Sequence, residues 1–424
     1  MLNHVLMPDT QAILLLCASF GQSRQTEPEP LRLREYNDLA GWLKENQMRP
    51  ADLLTSAGKQ RLQEMTGVKL NPQRLAALLE RGGMLALAVE KWTNKGLWVL
   101  GRSDASYPKR LKQKLKHSAP AILYGAGNPE LLSGGGLAVV GSRDVEGEEI
   151  SYTQKVAQSC GEQGIQVISG CARGVDEAAI LGVMDAGGKA VGVLADSLTK
   201  VSVSGKYRSA IREGRLVLIS PYDPDAGFNT GNAMGRNKYI YGLADAALVV
   251  SSSFGKGGTW AGALEALEHI KEVPVFVRNS ATVPEGNRQL IGKGAKPFPE
   301  NFGNDLMQHL RHTATAEPPA HDAEVPAINV SETGGAESPR EETAPRQGSQ
   351  SSPKDIYEAV LPFILEKLQQ PKDAKSLAEC LDVRLAQMQD WLKKAVAEGR
   401  VVKTKNGYAV SGGEVQLSLL DIAE

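Results

Sequence analysis

The stretch IQVISGCARGVDEAAILGVMDAGGKAVGVLA, residues 165–195, decides the fold. It opens on a short apolar run that breaks at Gly170. A helical pattern, DEAAILGVMDAGG, follows from Asp176, stops at Gly187 and Gly188, and leads into a second apolar run at Ala190. Short apolar runs joined by a helical stretch are the sequence form of a parallel βαβ unit, because parallel neighbours need a long crossover. The alternation extends in both directions. GLAVVGSR (136–143), LVLIS (216–220), DAALVVSSS (245–253) and VPVFVR (273–278) read as further strands, and EISYTQKVAQSCGEQG (149–164) as a helix with a glycine stop. Strands alternating with helices predict a Rossmann-like, doubly wound parallel sheet over residues 105–311. Ligands of such sheets bind at the carboxyl ends of the strands.

The flanks read differently. YNDLAGWLKENQ (36–47) and NPQRLAALLERGGMLALAVEKW (71–92) have helical periodicity, with a helix start at Asn71-Pro72, so residues 1–104 predict a helical N-terminal domain. Residues 312–352 are rich in Pro, Ser, Thr, Glu and Ala and nearly free of aromatics. Such a stretch buries too little apolar surface to offset its ordering entropy, and it predicts a disordered acidic linker. Three helical patterns then precede RVVKTKNGYAV (400–410), where Asn406-Gly407 signals a hairpin. Three helices plus a hairpin predict a winged-helix domain over 353–411, followed by a tail peptide at 412–424.

Composition narrows the function. The net charge is -1, so any nucleic-acid site is a local patch. Cys17, Cys160, Cys171 and Cys380 lie far apart without a Cys-x-x-Cys pair, which argues against a metal knuckle or a disulfide framework. The histidines, among them His309, His312 and His321, are scattered, so no metal and no cofactor are expected. The apolar run AILLLCASF (12–20) is far shorter than the roughly 20 residues of a membrane span, and no cleavage site follows it. A cytoplasmic protein without membrane attachment is expected.

Glycine-rich segments fall where the sheet places its ligand crevice. VVGSRD carries Gly141, Ser142 and Arg143. SGCARGVD carries Ser169, Gly170, Arg173, Gly174 and Asp176. GRNKYIYGLAD carries Gly235, Arg236, Asn237 and Lys238, and SFGKGGTWAGALEAL carries Gly255, Lys256, Gly257, Gly258 and Thr259 before a helix. Glycine lets a backbone approach an anion, and a helix N-terminus offers free N–H groups and a partial positive charge. Each segment alone is also what a tight turn looks like. Together, with Arg143, Arg236, Lys238 and Lys256 adding charge, they predict a phosphate-binding crevice.

The chain resembles the DprA/Smf DNA-processing proteins. The resemblance runs through SYPKRL (106–111), PAILYGAGN (120–128), AVVGSR (138–143), SGCARGVDEAA (169–179), GRNKYIYGLA (235–244) and GNRQLIGKGA (286–295), nearly half the chain. It implies a Rossmann-like domain that binds single-stranded DNA, helps load a RecA-type recombinase and forms a homodimer. Carried over by position, Arg143 would contact a backbone phosphate, and Ser169, Gly170 and Arg173 would line the same pocket. Asp176 would brace the loop by accepting backbone N–H bonds, while Arg236, Asn237 and Lys238 would close the other wall. The chain departs from the family at Ile180, where relatives carry histidine, in LADSLTKVSVSGKY (194–207), at Ser220-Pro221 and in NAMGRN (232–237). Divergence of this kind also suits a branch of the family that acts as the immunity partner, or antitoxin, of a toxin in phage-defence pairs.

An enzymatic alternative exists. Nucleotide phosphoribohydrolases of the same superfamily carry a glutamate three residues after the threonine of a GGxGT motif. Here that position is Gly262, and Glu265 lies one turn further on. General acid–base chemistry needs the carboxylate within hydrogen-bond reach of the substrate, so a non-enzymatic protein is expected. Tyr239 or Tyr241 either stacks a base or packs in the core. In the winged helix, Arg384, Lys393, Lys394, Arg400, Lys403 and Lys405 suit either double-stranded DNA or a solvated face of a protein-binding module. The tail QLSLL, Gln416 to Leu420, resembles a sliding-clamp docking peptide and equally suits a last segment packing home.

Overall fold

The structure, a computed structural model, describes residues 6–21, 28–67, 69–145, 147–280, 282–299, 305–315, 356–368, 371–381, 383, 385–404 and 407–411. The chain divides into two compact units, Met1–Asp322 and Ala323–Glu424.

The first unit is built on one sheet. Its strands are β1 (Leu97–Gly101), β2 (Ile122–Ala126), β3 (Leu137–Val140), β4 (Val167–Ser169), β5 (Ala190–Val193), β6 (Leu216–Ser220), β7 (Ala246–Val249), β8 (Val275–Val277) and β9 (Lys296–Pro297). They lie in the order β1-β2-β6-β5-β4-β3-β7-β8-β9. From β6 to β9 all neighbours pair in parallel, whereas β1, β2 and β6 pair antiparallel. Strands β3 to β8 are buried on both faces, which is why they read as continuous apolar runs. β3 has β4 on one side and β7 on the other, so the order of strand addition reverses there and a crevice opens above the carboxyl ends of β3 and β7.

β1 and β2 extend the sheet beyond the strands expected from the sequence. Their register needs a glycine, since a Cβ on Gly125 would stand 2.2 Å from the Trp98 ring. The Trp98 indole N–H donates across the strand ends to the Gly127 carbonyl at 2.8 Å.

The N-terminal helices share their core with the sheet. Helix Pro8–Cys17 buries Ile13, Leu14, Leu15 and Leu16 in the cluster that also holds Tyr124 and Leu218. Its apolar run is therefore a core helix, and among the described residues no helix is long and apolar enough to cross a membrane. Asn71 caps helix Pro72–Leu79, its Oδ1 accepting from the backbone N–H groups of Gln73 and Arg74. The helical pattern of 71–92 is split, with a second helix over Gly82–Asn94. Helix Leu306–Thr315 runs into the stretch expected as linker.

The second unit packs helices Ile356–Lys367, Ala374–Cys380 and Leu385–Ala397 against an antiparallel pair, β10 (Val401–Thr404) and β11 (Gly407–Val410). Tyr357, Ile364, Leu377, Met388, Leu392 and Val401 form its core. Residues 316–352 of the expected linker, residues 353–355, Arg384, Lys405, and the tail with Gln416 to Leu420 lie outside the described residues.

Candidate functional site

Above the carboxyl ends of β3 and β7 lies a cleft of about 460 Å³. It brings together Gly141, Ser142, Arg143, Asp176, Arg236, Asn237, Lys256, Gly257, Gly258 and Thr259, drawn from four separate stretches of the chain.

The first wall is the turn after β3. It is held by Ser142 N–H donating to the Ser251 carbonyl at 2.9 Å and by Val175 N–H donating to the Ser142 carbonyl at 3.3 Å. Two glycines permit this contact. A Cβ on Gly141 would stand 2.5 Å from Val175, and one on Gly174 would stand 2.5 Å from the Ser142 carbonyl oxygen and 2.7 Å from that of Arg143. Gly174 also has φ of +90°, a backbone state that suits glycine.

Beneath the turn lies a buried ion pair. Asp176, in the first turn of helix Val175–Asp185, accepts from Gly141 N–H at 3.3 Å and pairs with the Arg236 guanidinium at 3.4 Å. Burial pushes the Asp176 carboxyl above the usual carboxylate range, against the pull of Arg236 and the Gly141 N–H. Gly170 makes the pair possible, because a Cβ there would coincide with the guanidinium, 1.5 Å from Nη1. Arg236 Nε and the Tyr241 hydroxyl, both on cleft-lining residues, are buried without a hydrogen-bond partner.

The second wall is the start of helix Gly257–His269. Its N-cap residue, Lys256, makes no side-chain capping bond. The Asn237 amide donates to the Gly258 carbonyl at 2.8 Å and Thr259 Oγ1 to the Gly141 carbonyl at 2.9 Å. These bonds satisfy carbonyls and lock the two walls together, while the first-turn N–H groups remain as donors. Two carboxylates, Asp144 and Asp176, line the cleft, and each meets an arginine, Arg173 and Arg236 respectively. Among the described residues, Arg143 and Lys256 form no ion pair. The cleft is left with fixed donors and two cations outside any ion pair.

Several expected lining residues lie elsewhere. Ser169 is fully buried, with Oγ donating to the Val139 carbonyl at 2.6 Å, so it ties β4 to β3. Gly170 sits behind Arg236. Arg173 projects into solvent, pairs with Asp144 at 2.5 Å and borders a neighbouring hollow with Gly174. Lys238 turns away from the cleft, its Nζ 5.5 Å from the Tyr239 ring. The GRNK segment is no loop: it lies inside helix Thr230–Leu243. Tyr239 and Tyr241 are 5% and 1% exposed, hence core aromatics without a free face for stacking.

The family departures are also redistributed. Ile180 is fully buried in the core rather than at the cleft. Residues 194–207 and Pro221 do not line the cleft, whereas Ala233 and Met234 of NAMGRN do. Sequence reasoning missed Phe228, which lines the cleft with its ring 4.9 Å from the Arg143 guanidinium carbon. An aromatic residue within a turn-rich stretch, AGFNTG (226–231), is the only signal it leaves. In the loop after β4, burial pushes the Cys171 thiol up to about 12, which disfavours its thiolate. No cluster of metal-ligating side chains occurs among the described residues.

The fold agrees with comparisons to known proteins. The DNA processing protein DprA of Streptococcus pneumoniae is 29% identical over 197 residues, 46% of this chain and 68% of that protein. The corresponding protein of Bacillus subtilis is 27% identical over 209 residues, 48% of this chain and 69% of its own length. The crystal structure of the pneumococcal protein superposes with a TM-score of 0.54 at 22% identity, covering 69% of this chain and 94% of that one, which establishes the shared fold. The profile of the family described as DNA recombination-mediator protein A matches residues 98–310, half of the chain, and its span takes in β1 to β9 and the whole cleft. The chain belongs to the DNA recombination-mediator protein A family.

Proposed function

We propose that the chain is a non-catalytic DNA-binding protein that holds single-stranded DNA by its phosphates in the cleft above β3 and β7. In this reading it acts in DNA processing by delivering the strand to a recombinase, a role that family membership supports. The observation that carries the proposal is the pairing of two cations outside any ion pair, Arg143 and Lys256, with a helix N-terminus whose N-cap makes no side-chain bond. Backbone N–H groups and fixed cations are what a phosphodiester recognises, whatever its sequence. The unpartnered Arg236 Nε and Tyr241 hydroxyl add two buried donors at the same place. Against hydrolysis stands Gly262, where the enzymatic relatives carry their glutamate; it packs on Asn237, 2.9 Å from a built Cβ to the Asn237 Cβ.

For the second unit we infer a winged helix that contacts duplex DNA. Its third helix and hairpin expose Lys393, Lys394, Arg400 and Lys403.

The test is fluorescence anisotropy with single- and double-stranded oligonucleotides across a salt series. The wild type is expected to bind single strands with a log–log salt slope of roughly -0.7 per phosphate contact. Arg143→Ala is expected to weaken binding about 10- to 100-fold, the loss of one charge-assisted hydrogen bond, and to make the slope shallower by about one contact. Equal affinities of wild type and Arg143→Ala would remove Arg143 from the site. Absence of binding to either strand type would refute the reading.

A further inference from the structure

The mouth of the cleft is apolar in a way that phosphate binding does not require. Phe228, Met234 and Phe254 stand 58%, 44% and 54% exposed. Side chains of this size are ordinarily drawn into a core, and single exposed ones need no explanation. These three are grouped. Phe228 and Met234 line the cleft, and Phe254 follows the lining residue Ser253 and precedes the lining residue Lys256.

The rings are also held in place. The Arg143 guanidinium carbon lies 4.9 Å from the centre of the Phe228 ring. Phe254 meets Trp260 edge to face, with centroids 5.2 Å apart and planes at 83°. A ring braced from one side and open on the other is a preorganised platform, because little rotamer freedom remains to be lost when a flat ligand lands on it. The neighbouring charge selects the ligand. Arg143 and Lys256 favour an anionic chain, and unpaired nucleobases are the flat apolar groups that such a chain carries.

We propose that Phe228 and Phe254 are stacking platforms for unpaired nucleobases, with Met234 as an adaptable apolar contact between cleft and rim. The inference rests on the reading of the cleft as a phosphate seat. It supplies what that seat lacks, a means of telling strands apart. A duplex presents the same phosphates but keeps its bases paired inside, so the platforms find nothing to stack on.

The experiment uses the full chain and three labelled probes of equal length: an oligothymidylate, an abasic sugar-phosphate strand and a duplex. Wild type is expected to favour the thymidylate over the abasic strand by roughly 5- to 150-fold per stacked base. Phe228→Ala and Phe254→Ala should each shrink that ratio while keeping the salt dependence. Phe228→Trp should restore it, with indole fluorescence quenched by thymidylate and not by the abasic strand. Equal wild-type affinity for thymidylate and abasic probes, or an undiminished ratio in both alanine variants, overturns the stacking inference and leaves the phosphate seat standing. If no probe binds, the seat and the platforms fall together.

Discussion

Asp176→Ala is expected to lower the unfolding free energy by about 3–5 kcal/mol, the cost of stranding one member of a buried ion pair. Both partners are more than nine-tenths buried, and the Arg236 guanidinium already has an Nε without a partner. Removing the carboxylate leaves a cation in the interior and frees Gly141 N–H. Replacing both charges with apolar side chains of similar volume, as in Asp176→Leu with Arg236→Met, should recover most of the loss, because neither ion then needs desolvating. Urea unfolding followed by tryptophan fluorescence reports on the correct unit, since Trp42, Trp92, Trp98 and Trp260 lie in the first unit and Trp391 in the second. A single variant that unfolds at the wild-type urea concentration contradicts the account.

The same residue sets a pH dependence. Its folded-state pKa lies above the ordinary value because burial disfavours the charged form. The stabilising contribution is therefore complete below the ordinary carboxylate pKa and is lost as pH rises through the raised one. Asp176→Asn keeps the acceptor for Gly141 N–H and should lack this slope. The wild type should consequently lose stability relative to Asp176→Asn as pH rises, read from urea midpoints across a pH series.

Gly174→Ala is expected to cost about 2–4 kcal/mol, combining backbone strain with overpacking. All three atoms nearest the added methyl belong to the backbone of Ser142 and Arg143, at 2.5, 2.7 and 2.9 Å, so no side chain can swing aside. The turn after β3 must move instead, and with it Arg143. DNA affinity should therefore fall along with stability. Gly255→Ala is the control. It has φ of +69° but nothing within 4 Å of the added methyl, so it should cost only the strain, about 1–2 kcal/mol. Thermal melting that ranks the two variants equally would refute the steric part of the argument.

The parallel strands and their crossovers were legible because burial on both faces leaves a continuous apolar run, as in LAVV and LVLIS. β1 and β2 escaped notice because no helical crossover of the βαβ type joins them, and their role depends on Trp98 fitting over Gly125, a tertiary match. The chemistry of the cleft was legible in residue type, and its placement was not. Gly235 looks like a helix breaker, yet the helix passes straight through it, which turns Arg236 inward and Lys238 away. Ile180 is close in sequence to Asp176 but one turn deeper into its helix, where the environment is core. Phe228 belongs to a loop, and no periodicity forecasts whether a loop aromatic is covered.

The position of β3 between β4 and β7 has a consequence for biosynthesis. One half of the cleft is encoded within residues 140–176 and the other within 228–259, and the two meet only when β7 pairs with β3 across more than a hundred residues of intervening chain. Contacts of such long sequence separation form late and are slow to close. A nascent chain leaving the ribosome therefore carries its GSR turn for some time as an ordinary surface loop. The cleft proposed to seat a single strand is therefore completed in one step, after residue 259 has emerged and β7 has docked beside β3.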